Sequence, residues 1–194
     1  GLGMQGVSVE TRLHNPKLYA GETLHGEIRF QGGSSDKEIN RLNLQLMTLA
    51  EVESGDHESN QALILQDWLV NSRFILPANQ SHCIPFSLAL PLETPITEVA
   101  CRQNATRVWI QTYMDVDWGL DATDHDYLNI LPTPTMQVFL QAMQCCGFVL
   151  ATVDVEKGQI TAPAFRSTLG CYQELEFVSV HHFSGFNEVE VSFV

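Results

Sequence analysis

Basic residues are scarce in this sequence: 10 Lys plus Arg stand against 23 Asp plus Glu, a formal charge of −13. A surface this acidic repels phosphate backbones and anionic headgroups, which sets nucleic acid and anionic membrane aside and favours a partner protein with a basic surface. The same charge also serves solubility. No apolar run approaches the roughly 20 residues that a membrane-spanning helix needs. No Cys-x-x-Cys pair exists, and the five cysteines, Cys83, Cys101, Cys145, Cys146 and Cys171, are an odd, irregularly spaced set. They read as reduced thiols of a cytoplasmic protein, neither a disulfide framework nor a zinc site. Gly1-Leu2-Gly3-Met4 has neither a basic n-region nor an apolar h-region, so it does not read as a signal peptide. The missing initiator Met points to a trimmed sequence.

Catalytic signatures are missing as well. There is no Gly-x-Ser-x-Gly elbow, and Gly32-Gly33 lies between two strand patterns, where no helix follows to hold a phosphate. Cys171 with His181 as base is the nearest approach to a nucleophile pair, but a buried thiol packing as a small apolar group is the favoured reading. The seven histidines show no His-x-His or His-x-x-x-His spacing. Adjacent His181 and His182 would point to opposite faces of a strand and cannot share a tetrahedral ion. The sequence assigns no catalytic residue, no cofactor and no metal, and the chain is expected not to be an enzyme.

What is present is alternation. Val7 to Leu13, Leu24 to Phe30, Leu42 to Val52, Ala62 to Val70, Arg73 to Leu76, His82 to Leu90, Val108 to Val116 and Tyr127 to Leu131 read as strands at period two, separated by Gly, Pro and Asn/Asp clusters. That pattern spells an all-β sandwich. Pro132-Thr133-Pro134 stiffens a linker. A helix is expected from Thr135, with Met136, Phe139, Leu140 and Met143 on one face and Gly147 as its stop. Phe148 to Val155, Tyr172 to Val180 and Val189 to Val194 return to strand. Residues 1–131 are read as one immunoglobulin-like sandwich. Residues 132–194 are read as linker, short helix and the start of a second sandwich. The run Glu174 to Phe177, the Ser184-Gly185 turn and Val189 to Phe193 echo the first domain weakly, so the native protein is expected to continue past Val194.

Two acidic segments are the candidate partner contacts. Glu53, Asp56 and Glu58 lie in a hairpin tip over residues 53–60 that has no large apolar residue. Asp115, Asp117, Trp118, Asp121 and Asp124 lie in an inter-strand loop from Asp115 to Asp126. Carboxylates at alternate positions suit calcium, but the glycine is one place early and no helices flank the segment. Trp118 among carboxylates reads either as an anchor for a basic partner or, with more weight, as a cap on the end of the core. Trp68 and Trp109 sit inside strand patterns and read as sandwich core or as residues lying under a loop.

Leu18-Tyr19-Ala20-Gly21-Glu22-Thr23-Leu24-His25-Gly26-Glu27-Ile28 resembles the Tyr-x-Pro-Gly-Glu-x-Val-x-Gly run that announces the second strand of arrestin-like proteins. Glu38 to Thr48, Ile84 to Pro95, and Val108 to Thr112 with Asp124-His125-Asp126-Tyr127 resemble the bacterial sporulation-control family within that fold. The match spans roughly Val7 to Cys146. Ala20 and Ala122 stand where the family tends to have proline. The resemblance implies two arrestin-type sandwiches and a cytoplasmic regulator or scaffold that binds other proteins, with no catalytic group. A ligand-binding sandwich, for calcium or carbohydrate, is the alternative. The sequence sets no oligomeric state, and a dimer is compatible with it.

Overall fold

The computed structural model describes residues 6–181 and 187–194, so Gly1 to Met4, His182 and the Ser184-Gly185 turn lie outside the described residues. The chain opens with β1 (Ser8–Leu13), β2 (Lys17–Tyr19) and β3 (Thr23–Gln31). In β3, Leu24, Ile28 and Phe30 are buried between more exposed neighbours, as their alternation predicts. β4 (Lys37–Ser54) is the longest strand, and β5 (His57–Asn71) returns beside it. The hairpin tip expected over residues 53–60 is in fact the two-residue turn Gly55-Asp56, with Gly55 at φ +63°, the left-handed backbone that a tight hairpin turn demands. Glu53 and Glu58 are strand residues placed directly opposite each other. Sequence periodicity missed this stretch because residues 57–62 are exposed on both faces, so no apolar alternation marks the strand.

β6 (Phe74–Leu76), β7 (Ser81–Ala89) and the short β8 (Gln103–Asn104) follow. β9 (Val108–Val116) and β10 (Ala122–Tyr127) form a second hairpin, paired from Ala122↔Met114 to Tyr127↔Trp109. The loop expected from Asp115 to Asp126 is therefore two strands and a short turn. β10 gives no period-two signal because only Ala122 in it is buried, and the ladder to β9 holds it in place. β11 (Asn129–Leu131) pairs with β2 in parallel.

The helix α1 (Pro134–Cys145) starts where the linker predicts. The Thr133 Oγ1 accepts from the Met136 N–H at 3.2 Å as N-cap, and Pro134 takes the first turn, where a missing N–H costs nothing. Then come β12 (Phe148–Lys157), β13 (Thr161–Ala162), β14 (Phe165–Arg166), β15 (Cys171–Ser179) and β16 (Glu188–Val191).

β1, β3 and β7 make one sheet, and the larger sheet runs β10-β9-β4-β12-β15-β16, with β5 and β6 on β4 and β8 on β12. Leu24, Ile28, Phe30 and Leu88 of the small sheet meet Leu42, Leu44, Leu46, Ile110 and Met114 of the large one in a single core, so each sheet hides its apolar face against the other. Each such side chain contributes about 2 kcal/mol by leaving water. Val153, Leu175 and Phe177, from beyond the linker, belong to the same cluster. The protein is mostly β, with one helix among the described residues.

Candidate functional site

Four strands of the large sheet carry the same local pattern: Glu51-Val52-Glu53, Asp154-Val155-Glu156, Glu174-Leu175-Glu176 and Glu188-Val189-Glu190. Successive strand residues face opposite ways, so the apolar middle residue points inward and both carboxylates point out. Val155 and Leu175 are buried and Val52 and Val189 half-buried, while the acidic residues beside them are half-buried or exposed. Strand pairing then brings the carboxylates together. Glu156 lies opposite Glu51, Asp154 opposite Glu174, and Glu176 opposite Glu190. Like charges directly opposite on one face are destabilising. Among the described residues Lys157 is the one basic residue that borders the cavity over this face, and its Nζ donates to Gln61 Oε1 at 3.5 Å. The ion pairs among the described residues, Arg12–Glu10, Arg29–Glu27 and Arg73–Glu38, all lie elsewhere.

A shallow cavity of about 600 Å³ opens over this face, lined among others by Glu51, Glu53, Glu156, Tyr172, Glu174 and Glu190. Its electrostatics follow from crowding in partly dry surroundings. Burial first, then a hydrogen bond to Glu51 and the charge of Asp154, pushes Glu156 up to about 7. Burial, followed by the charges of Glu51, Glu176, Glu190 and Glu58, pushes Asp154 up to about 6. Glu174 and Tyr172 are raised too, again by burial first and neighbouring carboxylates second. Asp154 Oδ1 is buried without a hydrogen-bond partner. Glu51, Asp154 and Glu156 each bring one ligand oxygen within 4.8 Å of the others, and so do Glu176, Glu188 and Glu190. These are the residues that could hold a hard cation, for which oxygen donors are the right class.

The residues singled out from sequence fall into two places. Glu53 lines the carboxylate cavity, Glu58 acts on Asp154 from β5, and Asp56 is exposed at the turn beyond them. Asp115, Asp117, Trp118, Asp121 and Asp124 lie at the β9–β10 hairpin, far along β4 from Glu51. From Glu38, whose carbonyl accepts from Asp117 N–H, to Glu51 the extended chain runs roughly 40 Å. Their carboxylates have separate tasks rather than one common focus. Asp115 accepts from Asn40, Asp124 from Thr11 N–H, and Asp121 from both the Tyr113 hydroxyl at 2.6 Å and Val116 N–H at 2.9 Å. The Tyr113 hydrogen bond, then that from Val116, holds Asp121 below the usual carboxylate range.

Trp118 does not cap the core as expected: it is 91 % exposed, and Leu120 is 90 % exposed. Trp118 sits at φ +54° in the turn between β9 and β10, and Lys37 Nζ donates to its carbonyl at 2.7 Å. Asp121→Ala is expected to cost about 1 kcal/mol by leaving two donors unmatched, whereas Trp118→Ala should stay within about 0.5 kcal/mol. Urea unfolding of both variants checks this.

Cys171 is buried against Ala50 and Val155, and burial pushes its thiol up to about 11, which makes it a packing group rather than a thiolate. His181 follows the opposite end of β15, roughly 30 Å away along the strand. The sequence pair is not brought together.

Sequence reasoning missed Glu51, Asp154, Glu156, Glu174, Glu176, Glu188 and Glu190. The signal was available as a repeated acidic-apolar-acidic triplet, but which strands become neighbours is not a local property.

A family profile described as SpoOM protein matches residues 1–194. The sporulation-control protein Spo0M of Bacillus subtilis (strain 168) is 29 % identical over 194 residues, which cover 99 % of this chain and 72 % of that protein. The crystal structure of Spo0M, sporulation control protein, from Bacillus subtilis is similar at a TM-score of 0.84 and 29 % identity, covering 97 % of this chain and 74 % of the other. With the profile match running the length of the sequence, this chain belongs to the SpoOM protein family.

Proposed function

We propose that this chain is a non-enzymatic regulatory protein of the cytoplasm that acts by binding other proteins, with the carboxylate face as its contact for a basic partner. The observation that carries this reading is the pairing of acidic strand positions across β4, β12, β15 and β16, with Lys157 the one basic residue among the described residues that borders their cavity. Carboxylates held close together at a cost in stability gain most when a cationic partner neutralises them. The likeness to a sporulation-control protein supports a regulatory role. Glu53, Asp56 and Glu58 extend the same surface along the β4–β5 hairpin.

Affinity capture from native lysate, at low and moderate salt with mass-spectrometric readout, tests the reading. The parent chain should recover a small reproducible set of proteins that is lost as salt rises. The variant Glu51→Gln/Glu156→Gln/Glu174→Gln/Glu190→Gln should lose that set while keeping its fold. Equal capture by both proteins would sink the proposal. A calcium-dependent rise in Tm, removed by the same substitutions, would favour a cation-binding module in its place.

A further inference from the structure

On the other side of β12 lies a cavity of a different kind. β8 pairs with β12 only at Thr152 and Val153, so the residues before it, Val99 to Arg102, separate from Phe148 to Leu150. The gap, bordered by α1, has a volume of about 630 Å³, within the range of small-molecule sites. Val99, Ala100, Leu140, Phe148 and Leu150 line it, over Phe177, which is 2 % exposed. α1 brings no charged residue to it. Cys101 adds a neutral thiol, raised by burial and donating to the Gln103 carbonyl at 3.1 Å.

The rim carries an unmatched charge. Arg102 is exposed and, like Arg41, Arg107 and Arg166, has no ion pair among the described residues, but of these four it alone lines the cavity. The carboxylate on the same rim, Glu98, accepts from Asn129 Nδ2 and from Thr97 Oγ1. Arg102 is the one Lys or Arg among the described residues that lines this largely apolar cavity. It complements a ligand with an apolar body and an anionic end.

We propose that this cavity binds a free medium-chain fatty acid, its methylenes against Leu140, Phe148, Leu150 and Phe177 and its carboxylate on Arg102. A free acid fits better than a membrane lipid because the net charge of −13 keeps anionic bilayers at a distance. Each methylene taken out of water strengthens binding about fourfold, so affinity climbs with chain length until the cavity is full.

Titrating the 194-residue chain with decanoate, and in parallel with decanol, tests the assignment by calorimetry and by Tm. Decanoate should raise Tm saturably. Arg102→Gln should weaken decanoate about tenfold and leave decanol unchanged, the loss of one charge-assisted contact. Ala100→Trp, a change on an exposed loop that fills the cavity, should abolish binding of both without moving the Tm of the unliganded protein. Absence of a saturable decanoate shift, equal decanoate affinity in Arg102→Gln, or decanoate binding undiminished in Ala100→Trp would each overturn it.

Discussion

At pH 8 the double variant Asp154→Asn/Glu156→Gln should be more stable than the parent by about 2–3 kcal/mol, and at pH 4 the two proteins should be equal. The direction follows from proton binding. Both carboxyls titrate higher in the folded protein, about 6 and about 7, than in the unfolded chain, where ordinary values near 4 apply. Between those limits the folded state holds more protons than the unfolded one, so stability falls as pH rises through the window. Below about pH 4 both states are protonated and nothing is lost. Above about pH 7 the whole penalty is present. The full shifts would amount to about 6 kcal/mol at 1.36 kcal/mol per unit, and halving them allows for solvent screening and for the proton shared with Glu51. For a chain of this size the gain at pH 8 corresponds to roughly 5–10 °C in Tm. Thermal unfolding of both proteins at half-unit steps from pH 4 to 8 gives the test. A difference that does not grow with pH would mean these carboxyls are ordinary. The amides keep the shape and part of the hydrogen bonding, so lost packing cannot imitate the effect.

Gly26→Ala should be the most damaging single methyl in the small sheet. Gly26 sits in the central strand β3, opposite Leu13 on β1 and Phe86 on β7. A Cβ there would lie 2.5 Å from the Arg12 carbonyl oxygen and 2.6 Å from Phe86 Cζ. The ring could turn, but the carbonyl belongs to a paired strand and cannot move without pulling β1 off its ladder. A loss of about 3 kcal/mol follows, or roughly 6–12 °C in Tm, measurable by calorimetry at pH 6. Gly21 supplies the contrast. It is at φ +83° in the turn before β3, and a methyl there meets only the flexible end of Leu92, so backbone strain rather than a clash sets its cost. A Gly26→Ala protein as stable as the parent would show that the two strands slide past each other more freely than the register implies.

These two sites divide along the line between what is local and what is not. Alternation at period two, the Pro132-Thr133-Pro134 break and the Met136, Leu140, Met143 face were sufficient for an all-β chain with one helix after a linker, because burial of one face leaves a periodic mark on sequence. The strand motifs carried the family as well, since turns and close approaches restrict residue type at fixed offsets. Where neither face is buried, as in residues 57–62, or where a ladder alone holds the strand, as in β10, the sequence has no mark to leave. Trp118 differs from expectation for a related reason: a tryptophan is apolar in any setting, and its place at the tip of the β9–β10 turn, where it is 91 % exposed, is set by the strand pairing rather than by its own identity.

The candidate site shows the same division most plainly. Each acidic-apolar-acidic triplet can be read from the sequence, and each by itself is only a solvated strand face. Glu51, Asp154, Glu174 and Glu190 are separated by up to 139 positions, yet strand pairing sets them side by side, and their mutual repulsion exists only once it has. The sequence by itself determined the charge, the fold class and the family, which depend on composition and short-range pattern. The tertiary structure decided which carboxylates meet, how far their pKa values rise and where an apolar cavity with a spare guanidinium opens, because those quantities depend on distances that chain order does not contain.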